Sequence, residues 1–221
     1  MRKSAKLSLA AVAAALLLAS AVSNASATRL STSNQNLRLT FTSLEFNVPG
    51  VVTVRCKVTL EGSFHSRTIA KVARNLAGAV TKAIAKQETC TNGSGSTFNG
   101  VERYNGTTSP NTLPWHLTYE GFTGTLPNIA SLQALVSRFR VGITAAGLCT
   151  GQYGGATDNI TLAAALGAGG AISSLTPVAG RNTVTLMRRD AGLACPEAGL
   201  AQASGSVMLL GNTTPVTITL I

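Results

Sequence analysis

Residues 51–64 read VVTVRCKVTLEGSF, and the fold class turns on this run. Val52, Val54, Cys56, Val58 and Leu60 fall on one side, while Thr53, Arg55, Lys57, Thr59 and Glu61 fall on the other. A period of two belongs to an extended chain, whose successive side chains point to opposite faces. A strand with one apolar and one polar face has its place in an antiparallel sheet with one side on the core. The preceding stretch, NLRLTFTSLEF at 36–46, sets Leu37, Leu39 and Phe41 against Arg38, Thr40 and Thr42 in the same way.

The same reading extends along most of the chain. In 113–125, Trp115, Leu117 and Tyr119 alternate with His116, Thr118 and Glu120. Residues 132–144 read as either helix or strand at first and as strand in their second half, where Phe139, Val141 and Ile143 alternate with Arg138, Arg140 and Gly142. Further strands are expected at 159–166 and 183–188, with a break at Gly167–Gly170. Residues 203–210 and 214–221 read as a closing hairpin about Gly211-Asn212-Thr213. The Gly-, Asn-, Ser- and Thr-rich segment 91–112 reads as loops, with at most a short strand around 97–104.

One segment carries helical spacing. In 66–87, Ile69, Val72, Ala73, Leu76, Val80 and Ile84 form a single stripe, with Ser66 as N-cap. Gly78 sits in its interior, at a cost of up to ~1 kcal/mol relative to Ala. The expected fold is therefore mainly β: an antiparallel sandwich or open barrel with one amphipathic helix (66–87) packed on the sheet.

The amino terminus reads as an export leader. Arg2, Lys3 and Lys6 precede an apolar run, LSLAAVAAALLLASA at 7–21, and Ala25-Ser26-Ala27 offers a small-x-small cleavage site. Cleavage is expected after Ala27, with Ala21 as the second choice. The run falls short of the ~20 residues a membrane-spanning helix needs. The expected organisation is a signal peptide at 1–27 and one disulfide-stapled, β-rich domain at 28–221, secreted or held in the cell envelope.

Export gives the four cysteines a meaning. Cys56, Cys90, Cys149 and Cys195 form no CxxC pair, and with only two histidines a metal cage is not expected. In an oxidising compartment an even count of spaced cysteines reads as two disulfides. A strand from Cys56 to about residue 64 advances ~26 Å, and a helix over 66–87 returns ~30 Å. That places Cys90 beside Cys56 and leaves Cys149 for Cys195.

The chain carries 18 Lys+Arg against 8 Asp+Glu, a formal charge of +10. On the expected helix, Arg67, Lys71, Arg74, Lys82 and Lys86 gather opposite the apolar stripe. Such a run is usually a solvated face; as a site it would take an anionic envelope polymer or lipid surface. Nucleic acid is not expected as a partner, since the helix has no interleaved aromatics and matches no recognised module. Trp115, Tyr119 and Phe122 form an aromatic face that could stack on sugar rings, although core packing is the commoner fate of such rings.

Catalytic signatures are missing. No GxSxG elbow, HExxH helix, phosphate loop or cation-binding Asp run occurs. A hydrolytic site would have to assemble from distant positions, such as His116 with Asp158 or Asp190 and a serine; His65 has its place at the start of the helix. No cofactor is expected.

The segments VRCKVTLEGSFHSRTIAKVARNLAGAV, LPWHLTYEGFTGTLPNI and VMLLGNTTPVTITLI resemble a set of short secreted proteins of GC-rich Gram-positive (actinobacterial-type) bacteria. The resemblance covers most of the mature chain and implies bacterial export and a single domain. It carries no assigned activity and no functional residues. The sequons at Asn105 and Asn212 would matter only in a eukaryotic source. The expectation is a secreted, non-enzymatic binding or structural component of the cell envelope. The alternatives are a secreted hydrolase with an unmarked site and a polyanion-binding protein using the basic helix face.

Overall fold

The computed structural model describes residues 29–221 except 51, 98–101, 105–106, 110–112, 146–147, 156–157 and 193–194. The leader and both cleavage positions lie outside the described residues.

Alternation becomes strand throughout. In chain order the strands are β1 (Arg29–Thr32), β2 (Asn36–Val48), β3 (Val52–Phe64), β4 (Thr68–Ala70), β5 (Leu76–Thr91) and β6 (Gly93–Thr97). There follow β7 (Glu102–Tyr104), β8 (Thr107–Ser109), β9 (Trp115–Thr125), β10 (Asn128–Ser137), β11 (Arg140–Ala145) and β12 (Cys149–Gly154). The last are β13 (Asn159–Leu166), β14 (Ile172–Pro177), β15 (Thr183–Ala191), β16 (Ala198–Leu209) and β17 (Ile218–Leu220). A 3-10 turn, Ala168–Gly170, sits at the expected break.

The architecture is a closed antiparallel barrel. The hydrogen-bonded order runs β14-β13-β10-β9-β5-β3-β2-β16, and β14 pairs back to β16, which closes eight strands into a ring. The closing pair is Leu175 with Gly205. From β16 the sheet also branches outward through β15, β12 and β11 to β6. Since β6 follows β5 through Asn92 (φ 61°), this side arc returns to the barrel wall. A three-stranded sheet, β17-β1-β4, lies at the end of the barrel where β2, β5, β10 and β14 begin, and it buries Leu30, Ile69 and Ile218. We call this the plug end.

The interior is the apolar half of each alternation. Leu37, Leu39, Phe41, Val54, Cys56, Val58, Leu60, Trp115, Leu117 and Tyr119 are all buried. The outward half carries charge: Arg38 and Lys82 both reach Glu61, at 2.9 and 3.3 Å, and Arg55 reaches Glu45 at 2.8 Å. A membrane-spanning barrel has the reverse distribution, apolar outside and polar within. Among the described residues no helix is long and apolar enough to cross a membrane.

The helix expected over 66–87 does not form. In its place come β4, a turn and β5. Val72 is 63% and Leu76 41% exposed, so the helical stripe is not a buried face, although Ile69 and Val80 are buried. The misleading period has a physical source. β5 carries an irregularity in register between the pairs Glu61/Lys82 and Gly62/Val80. The extra residue of a β-bulge shifts the inward positions from a spacing of two to one of three. Val80 and Ala83, three apart, are thus both buried, as successive inward residues of a helix would be. Alanine-rich composition adds helix propensity, which pairing with β3 and β9 overrides.

The expected closing hairpin forms only beside its turn: Leu209 N–H donates to the Thr214 carbonyl at 2.9 Å, Val216 N–H to the Val207 carbonyl at 3.3 Å, and Met208 bridges Pro215, after which the chain leaves β16. β17 pairs with β1, Leu30 opposite Leu220, so the carboxyl-terminal strand belongs to the plug.

Candidate binding cavity

Inward residues of the barrel do not fill it completely. A cavity of about 110 Å³ lies in the half away from the plug, where β2, β3 and β10 meet β11 and β15. Its walls include Leu44, Val58, Val136, Ile143, Val184 and Ala201. Trp115 and Phe139 meet edge to face at its border, ring centroids 6.1 Å apart. A second cavity of about 60 Å³ lies nearer the plug, and Leu162 lines both. The lining of the larger one is aliphatic and aromatic apart from the disulfide-bonded Cys56 and Gly142.

This composition determines the chemistry available. With no titratable side chain on its wall, the cavity cannot activate a nucleophile or stabilise a charge. It can accept apolar volume. An engineered apolar cavity of about 150 Å³ in another protein stays dry and binds benzene, so the larger cavity here is of the size for one small ring or a short alkyl segment. Empty space of this volume costs about 2–3 kcal/mol at ~24 cal/mol per Å³.

The side arc is fastened beside this cavity. Tyr153 is fully buried, its ring 4.7 Å from that of Phe46, and its hydroxyl donates to the Pro196 carbonyl at 3.4 Å. Burial pushes the Tyr153 phenol up, partly offset by the positive charge of Arg189; burial likewise raises that of Tyr119. Cys56 is bonded to Cys90, and Cys149 to Cys195. The return from β3 to Cys90 runs along the antiparallel strand β5, where the expectation had a helix. Out and back cancel in either case, because two adjacent antiparallel strands retrace each other.

The five cations expected on one helix face divide into two groups. Arg67, Lys71 and Arg74 lie on the segment around β4, at the plug end. Arg67 is exposed; Lys71 Nζ stands 5.5 Å over the Phe122 ring; Arg74, at φ 67°, reaches Glu120 at 3.3 Å. Lys82 and Lys86 stand on the outer face of β5, Lys82 paired with Glu61 and Lys86 opposite Lys57. The basic helix face therefore does not exist as a unit, because the strand extends the spacing between its members.

The aromatic face resolves into core: Trp115 and Tyr119 are buried, and Phe122 is half-buried beneath Lys71. His116 Nε2 accepts from Arg138 Nη1 at 3.3 Å, and its other companion on that side, Glu120, is taken by Arg74 and Arg181. His65 is exposed in the turn after β3. Asp158 accepts from the Thr185 amide and hydroxyl, at 2.7 and 3.0 Å. Among the described residues neither histidine is hydrogen-bonded to a carboxylate, and no group of three His, Cys, Asp or Glu could hold a metal. The side chain of Asp190 and the sequon residue Asn105 lie outside the description.

Sequence reasoning put some of the lining residues, among them Phe41, Val54, Val58, Trp115 and Ile143, on the apolar face of their strands, but not the space among them. The only sequence signal is the small side chain at Ala85, Gly142 and Ala201 on inward positions of the wall. Comparison with protein-family models, with curated proteins and with solved structures finds no match for this chain.

Proposed function

We propose that this is an exported, non-enzymatic binding component of the cell envelope, and that its binding element is the barrel interior. The observation that carries the reading is the closed barrel around a wholly apolar cavity of about 110 Å³. Eight-stranded barrels are just wide enough to be filled by side chains or to hold one small ligand, and here part of the interior is left unfilled. Two disulfides fit an oxidising extracellular location. The ligand is small, uncharged and apolar, since any polar group placed in the cavity would lose its water without a partner.

The test is thermal unfolding with graded small apolar compounds, benzene, toluene and short alkanes. A ligand that binds only the folded state raises stability by RT ln(1 + [L]/Kd). Stabilisation that is saturable and abolished in Ala201→Leu or Ala85→Leu, which fill the cavity from β16 and β5, is the expected result. Folded, fully stable variants combined with no stabilisation of the parent by any compound would overturn it and leave a purely structural component.

A further inference from the structure

The plug end of the barrel concentrates two features that oppose one another on an ordinary solvated surface. Five of the seven large apolar side chains exposed among the described residues lie at strand ends or turns there: Val72, Leu76, Leu126, Leu210 and Ile221. Val72 and Ile221 are the most exposed of all seven, at 63% and 55%. They flank the plug sheet, where Ile221 and Arg29 exchange backbone hydrogen bonds of 3.0 and 3.3 Å and Arg29 pairs with Ala70. Arg29, Arg67 and Arg74 are exposed around them, and Lys71 lies between Ala70 and Val72.

Acids do not balance this end. Among the described side-chain carboxylates, Glu61 is shared by Arg38 and Lys82, and Glu120 by Arg74 and Arg181. Glu45, Glu88, Asp158 and Glu197 stand at or near the opposite ends of their strands or beyond. Cations alone would suit any polyanion. Aliphatic side chains projecting among cations suit a surface that is anionic outside and apolar just beneath, which is a bilayer carrying acidic lipid.

We propose that the plug end docks the protein on anionic phospholipid membranes, Arg29, Arg67, Lys71 and Arg74 facing the headgroups and Val72 and Ile221 entering the interface. Each cation near such a surface contributes about a fivefold gain in partitioning, equivalent to about 1 kcal/mol. Attraction falls off within a Debye length and weakens with salt. The docking is independent of cavity binding, because the two lie at different places in the fold.

The experiment is co-sedimentation of the mature protein with vesicles of phosphatidylcholine alone or mixed with phosphatidylglycerol. Retention on the mixed vesicles only, lost at high salt, is expected. Arg67→Glu/Lys71→Glu should lower partitioning more than twentyfold, and Val72→Asp/Ile221→Asp should lower it at least tenfold. Lys57→Glu/Lys86→Glu, with the same change in net charge away from the plug, should leave most of it; thermal unfolding verifies that each variant is folded. No retention on the acidic vesicles overturns the proposal, as does an equal loss in the Lys57/Lys86 variant. Equal retention on a soluble wall polyanion, unaffected by the Val72/Ile221 changes, overturns it in favour of polymer binding.

Discussion

Gly62 and Gly78 stand on adjacent strands, each pressed against the backbone of the other's strand. A Cβ on Gly62 would meet the Ala79 carbonyl oxygen, and one on Gly78 would meet that of Ser63. The two strands close in where β3 and β5 pair Gly62 with Val80 and Phe64 with Gly78. Gly78→Ala should therefore destabilise the fold by about 2 kcal/mol or more, in the range of overpacking. In a helix the same change would add up to ~1 kcal/mol. Urea unfolding of the single variant decides between the two signs.

Glu61 gives the protein an acid-sensitive tie. Burial raises the carboxyl, but hydrogen bonds and charge from Arg38 and Lys82 outweigh it and hold the group below its ordinary value of 4.5. A lowered folded value means stability that is present at neutral pH and lost as pH falls through the folded pKa. The partners are half exposed, so the contribution is about 1 kcal/mol or less. Glu61→Gln should remove that slope from the acid limb of a stability-against-pH curve and lower neutral stability by a similar amount.

The alkaline limb has the opposite origin. Burial raises the phenols of Tyr119 and Tyr153 above their ordinary value of 10.0. The folded state keeps protons that the unfolded chain gives up, so stability falls as pH rises above about 10. Tyr153→Phe should flatten this fall. At neutral pH it should cost about 1 kcal/mol for the hydrogen bond to Pro196. Denaturant midpoints at neutral and alkaline pH measure both.

Filling the large cavity should stabilise the protein. Ala201→Leu places aliphatic carbon where the unfilled volume costs about 2–3 kcal/mol, and part of that should be recovered as a higher denaturant midpoint. A lower midpoint would mean that the wall near Phe46 and Val184 does not accommodate the longer side chain.

Removing the first disulfide should be costly. Cys56 and Cys90 are 34 residues apart, and a loop of that length corresponds to ~3–4 kcal/mol in the chain-entropy model. The double variant Cys56→Ser/Cys90→Ser should lose about that much by thermal or denaturant unfolding, with Cys56 also leaving a polar group on the cavity wall.

Strand after strand was legible because burial on one face writes a period of two into the sequence, as from Val54 to Leu60 or Trp115 to Tyr119. The error at 66–87 came from the same rule interrupted. The stripe Ile69, Val72, Ala73, Leu76, Val80 and Ile84 runs across β4, a turn and a β5 whose bulge breaks the period of two, and nothing local distinguishes such a stretch from a helix. The partner of β17 was hidden for another reason: β1 lies some 190 residues away, and pairing over that distance leaves no local mark. The cavity was hidden because an unfilled volume depends on how opposing side chains meet, which alternation along one strand does not encode.

The closing pair of the barrel has a mechanical consequence. The wall of β2, β3 and β5 is knit by long ladders and a disulfide, whereas β14 and β16 pair directly at Leu175 and Gly205, with Val216 spanning the same seam by hydrogen bonds to Ile172 and Val207. Such a cylinder behaves as a clasp, with a broad hinge on one side and a narrow catch on the other. Parting this line would break one ladder pair and the Val216 hydrogen bonds while both covalent staples stay intact, which makes it the least-laddered seam of the ring.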